Sequence, residues 1–215
     1  MMWVPVNQSF FYAFIIIVLL PASGYSEDIW QLTKNDNGIV VYQRGNEEIN
    51  SGQFIGDISL DEKAQTTFNI IKDISSNRHW MADCIHSELI KKISDNEVIA
   101  YYITEPPWPL SRRDSIISIK FNKIYTDKFS VDMRSLSEGE AEHYVKKNSR
   151  IVRIYQMDGF FDISEKNGKT DIRFSATGGP GGNVPYFLVR WGGWRIPYNT
   201  LYGLMLFIQF KKSQK

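Results

Sequence analysis

The chain of 215 residues has a single cysteine, Cys84. An internal disulfide is therefore impossible, and packing alone must hold the fold even in an oxidising compartment. Neither sign of charge is in excess, since 25 Lys and Arg face 24 Asp and Glu for a net charge of +1. That balance argues against nucleic acid as a partner, because such binders need a basic face to neutralise phosphates. No internal repeat, low-complexity tract or shift in composition marks a second domain. The length suits one domain with a sizeable core.

Charge is absent altogether from the first 24 residues. The apolar block there, "FFYAFIIIVLL" (10–20), has eleven residues and stops at Pro21. A bilayer span needs roughly 20. Ala22, Ser23 and Gly24 then supply small residues where a signal peptidase reads. The expectation is a signal peptide over 1–24, cleaved near Gly24, with an uncleaved anchor as the alternative. The single domain would then be 25–215, periplasmic or secreted. Cys84 lies too far along to carry lipid at a processed N-terminus.

What the chain has in quantity is aromatic surface, with 6 Trp, 11 Tyr and 13 Phe. Rings in that number must be packed or offered to a ligand. Several runs alternate apolar and polar residues with period two, as strands with one buried face do. Ile117, Ile119 and Phe121 share a face in "SIISIKF" (115–121). So do Phe129, Val131 and Met133 in "KFSVDMR" (128–134), and Ile172, Phe174 and Ala176 in "TDIRFSA" (170–176). "EKNGKT" (165–170) places Asn167-Gly168 between two such runs, a strong hairpin signal.

Two helices are predicted. Ser59 and Glu62 have the spacing of a capping box, ahead of a stripe formed by Leu60, Ala64, Phe68, Ile71 and Ile74. The second is "PYNTLYGLMLFIQFKK" (197–212), with Pro197 in its first turn and Lys211 and Lys212 at its negative end. It is apolar on most of its circumference, which predicts cover on most sides. "SEGEAEH" (137–143) reads as a solvated acidic loop. The expected class is α+β, with helices laid across a curved antiparallel sheet.

"GGPGGNVPYFLVRW" (178–191) raises the question of phosphate binding. A Walker loop needs G-x-x-x-x-G-K-(S/T), yet no cation follows Gly182 until Arg190. A Rossmann loop needs a parallel βαβ unit and G-x-G-x-x-G, and both are missing. No cofactor fingerprint remains. The glycines are better read as conformational: they reach positive φ freely, and Pro185 presets a first helical turn.

The order "DGFFDISEKNGKTDIRFSATGGPGGNVPYFLVRW" resembles the C-terminal part of the START (StAR-related lipid-transfer) domain family. That pattern leads through P-G-G-x-(I/V)-P-x-(F/W/L)-L-(V/I) into a terminal helix. "EPPWPLSRRDSIISIK" (105–120) resembles the family's P-(W/F)-P-(M/L)-x-x-R-D segment, and "SNRHWMADC" (76–84) its Arg…Trp segment. The three matches run in register from about residue 30 to 210. Two positions depart: Gly179 stands where an acidic residue often precedes P-G-G, and Ile119-Lys120 where the strand usually carries arginine. Both bear on the head group more than on the fold.

The resemblance implies a bacterial-type secreted member of the helix-grip superfamily. In that fold a curved antiparallel sheet wraps a long C-terminal helix and encloses an apolar cavity holding one lipid or other hydrophobic molecule. Each buried CH₂ contributes about 0.8 kcal/mol, so a long acyl chain gains roughly 10 kcal/mol over water. Candidate residues for the cavity and head group are Arg78, Glu105, Arg113 and Asp114. For Arg113 and Asp114 the alternative is a pair that merely anchors the strand. Gly181, Gly182 and Pro185 are the candidate lid hinge. Trp191 and Trp194, in "RWGGWR", are candidates for transient membrane contact or else for a packed kink. Trp108, among three prolines, is expected to pack as a loop plug.

Catalytic signals are thin. His79, Asp83, Cys84 and His86 lack the spacing of a metal set, and Cys84 has no evident base. The expected function is binding and transfer without catalysis. The alternatives are a helix-grip cyclase or hydrolase acting in the same cavity, and a sensor that transfers nothing.

Overall fold

In a computed structural model, residues 29–46 and 51–214 are described. The expected signal peptide lies outside them. Antiparallel strands are the main element of the fold: β1 (Gln31–Asp36), β2 (Ile39–Asn46), β3 (Ser51–Leu60), β4 (Cys84–Lys92), β5 (Glu97–Thr104), β6 (Arg113–Lys123), β7 (Lys128–Ser135), β9 (Met157–Lys166) and β10 (Lys169–Gly178). They form one sheet in the order β1-β2-β3-β10-β9-β7-β6-β5-β4, and β8 (Val152–Arg153) pairs in parallel with β6. Asn167 and Gly168 turn β9 into β10 with φ of 54° and 77°, as a two-residue hairpin turn requires.

Alternation sorts the side chains onto two faces. One face carries Ile117, Ile119, Phe121, Phe129, Val131, Phe161, Ile163, Ile172 and Phe174, all buried. Helix α1 (Ala64–Lys72) fills one end of this inner face, where Phe68 stacks on Phe129 at 4.6 Å and meets Phe121 edge-on. A 3₁₀ turn (Ile74–His79) follows. The opposite face is covered only locally, where Ala141 of α2 (Glu138–Tyr144) packs with Ile99, Ile116 and Leu136.

Two local readings give way to longer-range contacts. Ser59 and Glu62 do not form a capping box for α1, and Ser59 and Leu60 lie outside the helix. They belong to β3, paired with Asp171 and Thr170, because the ladder to β10 runs to the end of the strand. The cap comes from Glu165, whose Oε2 accepts the Ala64 amide at 3.0 Å. The acidic segment at 137–143 is α2, not a loop. Its capping box is Ser137 with Glu140, whose carboxylate accepts from the Ser137 amide and hydroxyl.

After β10 the chain forms α3 (Tyr186–Gly192) and then α4 (Arg195–Ser213). Helix α4 packs against β3, β2 and β10. It buries Pro197, Thr200, Leu201, Leu204 and Ile208, one stripe, while Leu206 and Phe210 face solvent. Cover on most sides was expected; one side suffices because only a single stripe meets the sheet and the 3₁₀ turn. No helix among the described residues is long and apolar enough to cross a membrane.

The close approach of α4 depends on two glycines. Leu201 and Pro197 sit over Gly56 of β3, and a Cβ on Gly203 would stand 2.3 Å from the Trp80 carbonyl oxygen. Gly203→Ala should therefore destabilise the fold by about 1–3 kcal/mol, the usual cost of overpacking. Thermal unfolding checks this, and an unchanged midpoint would contradict the packing of α4 on Trp80.

Candidate functional site

Beside α1 the inner face carries Glu165 and Thr170, both bonded at the start of that helix, and a second polar group stands at the other end of the face. Tyr102 of β5 stands opposite Ser115 of β6, and Thr104 opposite Arg113. Arg113 is 5% exposed, and burial holds its guanidinium below the ordinary arginine range. It donates from Nε to the Pro180 carbonyl at 3.3 Å and from Nη1 to the Ser111 carbonyl. Among the described residues no carboxylate lies within ion-pairing distance of it. Arg113 thus joins the β5–β6 loop to the glycine segment that leads into α3.

In that segment Gly181 and Gly182 both take φ of +67°, the left-handed region that other residues adopt at a cost. Gly181 rests against Val152 of β8, and Pro185 is the residue from which α3 starts. No residue of α3 is buried. It is held by single contacts, such as Arg190 Nη2 donating to Gln31 Oε1 at 3.3 Å. Phe187 and Trp191, one turn apart, are 67% and 73% exposed. The two tryptophans of "RWGGWR" part company here. Trp194 turns inward against Tyr198, with Lys34 Nζ 5.9 Å from its ring. Trp108, expected to pack as a loop plug, is 92% exposed and plugs nothing.

The other sequence candidates lie apart from this end. Asp114 points to the outer face, where Arg153 grips it with two bonds, Nη2–Oδ2 at 2.6 Å and Nε–Oδ1 at 3.0 Å. Both side chains are essentially sealed from solvent. Tyr101 donates to the same carboxylate at 3.1 Å, and burial together with that charge pushes its hydroxyl up to about 12. Arg153 also donates to the Val145 carbonyl at the end of α2. Asp114 is therefore paired, and its partner is Arg153, not Arg113. Glu105 pairs with Arg112 at 2.8 Å on the surface. Arg78 is exposed and lines an outer groove of about 600 Å³ with His79, Phe207, Phe210 and Lys211.

Residues that sequence reasoning missed stand beside the polar end. The 3₁₀ turn carries Asn77 inward, where its Nδ2 donates to the Tyr102 hydroxyl at 2.9 Å. Asn77 Oδ1 and Trp80 Nε1 are buried without a hydrogen-bond partner. Asn77 lies inside the quoted "SNRHWM" segment, so the motif held the signal but the turn's inward face could not be read from it.

Cys84 is buried and donates to the His86 carbonyl, and burial pushes its thiol up to about 11, which suppresses the reactive thiolate. His86 meets Glu88 at 3.2 Å, and His79 stacks on Phe207. Among the described residues no three His, Cys, Asp or Glu side chains converge as metal ligands.

No family model matches the chain. A solved STAR-related lipid transfer protein of Xanthomonas axonopodis is 27% identical with a TM-score of 0.74, over 84% of this chain and 98% of that one. Human STARD10 is 18% identical with a TM-score of 0.71, over 86% and 76%. The phosphatidylcholine transfer protein of Mus musculus is 25% identical over 166 residues, 75% of each chain. An aromatase/cyclase of Streptomyces shares the fold more distantly, at 6% identity and a TM-score of 0.55, over 72% of this chain and 92% of that one. The chain has the helix-grip fold of the START domains, and its sequence resemblance to them is found again in these relatives.

The Asp114–Arg153 pair makes a clear stability prediction. Asp114→Asn removes the bidentate counter-charge of a buried guanidinium, leaving it only Glu142 at 3.5 Å among the described residues, and should cost about 3 kcal/mol. The double variant Asp114→Leu, Arg153→Met should recover much of that loss in chemical denaturation. A single variant as stable as the wild type would mean the pair carries no such weight.

Proposed function

We propose that this protein binds one lipid or similarly hydrophobic molecule between α4 and the inner face of the sheet, and transfers it between membranes. The observation that supports this most is the inner face itself, largely apolar where it is turned toward α4 and polar beside the glycine segment. The lipid-transfer proteins among its relatives point the same way. Of the buried charged side chains among the described residues, Asp114 and Arg153 lie on the outer face, which leaves Arg113 on the inner one. That favours carriage over the acid–base chemistry of a helix-grip cyclase or hydrolase, which needs facing titratable groups.

The ligand gains little free energy on leaving a bilayer for such a site, because its tail is apolar-solvated in both places. Exchange then needs only an opening. In this reading Gly181, Gly182 and Pro185 are the hinge, α3 is the lid, and Arg113 anchors the fixed side of the hinge through the Pro180 carbonyl. Arg113 is also the member of the sequence set placed to meet a ligand's polar end. Phe187 and Trp191 on α3, with Trp108 on the neighbouring loop, form the membrane-facing surface, since aromatic side chains settle at the interface. Residues 1–24 direct the chain to the periplasm or the medium and are removed near Gly24.

Native mass spectrometry of the protein purified from its own host should show one hydrophobic molecule per chain. Bare protein that also extracts no labelled phospholipid from vesicles would overturn the proposal. Phe187→Ala with Trp191→Ala should slow vesicle-to-vesicle transfer about tenfold or more, on the order of 1.4 kcal/mol, while ligand affinity is kept. An unchanged rate would remove α3 from the membrane contact.

A further inference from the structure

We propose that Tyr186 holds α3 closed by seating its ring on the bare backbone at Gly45 of β2, and that this contact sets how fast the carried molecule leaves. This rests on the carriage reading above and adds what governs release. Helix α3 buries none of its residues, so its position depends on the few that it presses against the sheet. Tyr186, Val189 and Gly193, the last just past the helix, follow one another at helical spacing and share one side. Each meets a partner on β2 or β3. The Tyr186 ring lies over Gly45, Val189 beside Gly52, and Gly193 over the Phe54 ring. Gly45 and Gly52 are cross-strand partners, so together they make one flat spot near the end of the β2–β3 ladder.

The lack of side chains at this spot is a matter of space. Neither Gly45 nor Gly52 has the positive φ that would call for glycine. Glycine inside a strand weakens it and marks a place where something approaches closely. At Gly45 that something is Tyr186: an added Cβ would stand 2.0 Å from the phenolic oxygen and 3.0 Å from Cζ. At Gly52 it would stand 2.5 Å from the Phe54 ring and 3.4 Å from Val189 Cγ1. The Tyr186 contact has the most leverage, because Tyr186 is the first residue of α3 and follows directly on the hinge at Gly181, Gly182 and Pro185. The bond from Arg190 to Gln31 joins two exposed side chains, where water competes for both partners. Phe187 and Trp191 lie on another side of α3 and are exposed. A membrane can therefore take hold of the helix without competing for the side that keeps it shut.

Gly45→Ala tests the seat while sparing the sheet, since the added methyl meets the far end of a side chain that can swing away and no backbone atom. Hydrogen exchange of the ligand-free protein should show the α3 amides opening about tenfold faster, with β3 and β10 unchanged. Release of pyrene-labelled phosphatidylcholine from the full folded chain into phosphatidylcholine vesicles should quicken by a similar factor. Tyr186→Ala should do the same. Adding Gly45→Ala to it should change nothing further, because the ring that the methyl displaces is gone. Unchanged α3 exchange in Gly45→Ala would overturn the latch and leave carriage standing. So would an undiminished effect of Gly45→Ala in the Tyr186→Ala background, or faster exchange with unchanged release. A wild type that takes up no labelled lipid would overturn carriage, and the control of release with it, whatever α3 exchange showed.

Discussion

A large sheet with one strongly apolar face must have that face covered, and most of what this chain does follows from how the covering is arranged. Helix α1 and its stacked Phe68–Phe129 pair close one end with rings. The rest falls to α4 and the 3₁₀ turn, which meet each other as well as the sheet. Their meeting is close because Gly203 has no side chain to hold it off the Trp80 carbonyl. Thr200 adds a bond, its hydroxyl accepting the Ala82 amide at 3.2 Å. Tyr102, Thr104 and Arg113 then lie at the end opposite the packed rings, beside the glycine approach to α3.

The two faces of β6 show how adjacent residues can have unrelated roles. Arg113 and Asp114 are neighbours in the chain, but alternation sends one inward and the other outward. Outside, the fixed bidentate pair with Arg153 ties β6 to β8 and the end of α2. Inside, Arg113 meets only carbonyl oxygens, a weaker and more easily exchanged set of partners. A rigid ion pair thus stands directly behind the side chain that holds the glycine segment.

Alternation and turn chemistry were legible in the sequence because both are local. The shared faces of Ile117, Ile119 and Phe121, and of Ile172 and Phe174, follow from a period of two. The hairpin at Asn167-Gly168 follows from the tolerance of those residues for positive φ. The START resemblance also carried the order of elements. What escaped was decided by partners far along the chain. Ser59 was drawn into a ladder with β10, more than a hundred residues away, and α1 received its cap from Glu165. Asp114 found Arg153 across 39 positions, not the adjacent arginine. Asn77 could not be distinguished from a surface turn residue until the 3₁₀ geometry fixed which way it faced.

Both ends of α4 are pinned, and near its start the Tyr198 hydroxyl donates to Asp36 at 2.9 Å and accepts from Asn37 at 2.9 Å. Lys212 donates to the Asp61 carbonyl at 2.6 Å and pairs with Glu62 at 3.2 Å, and Gly203 is seated on Trp80 halfway along. A helix anchored in this manner can neither slide along its axis nor rotate about it without losing those seats. What these anchors leave free is α3, which has no buried residue and follows the glycines at 181 and 182, so in the proposed transfer a passenger would leave by the mouth nearest α3 and never from beneath the last turn.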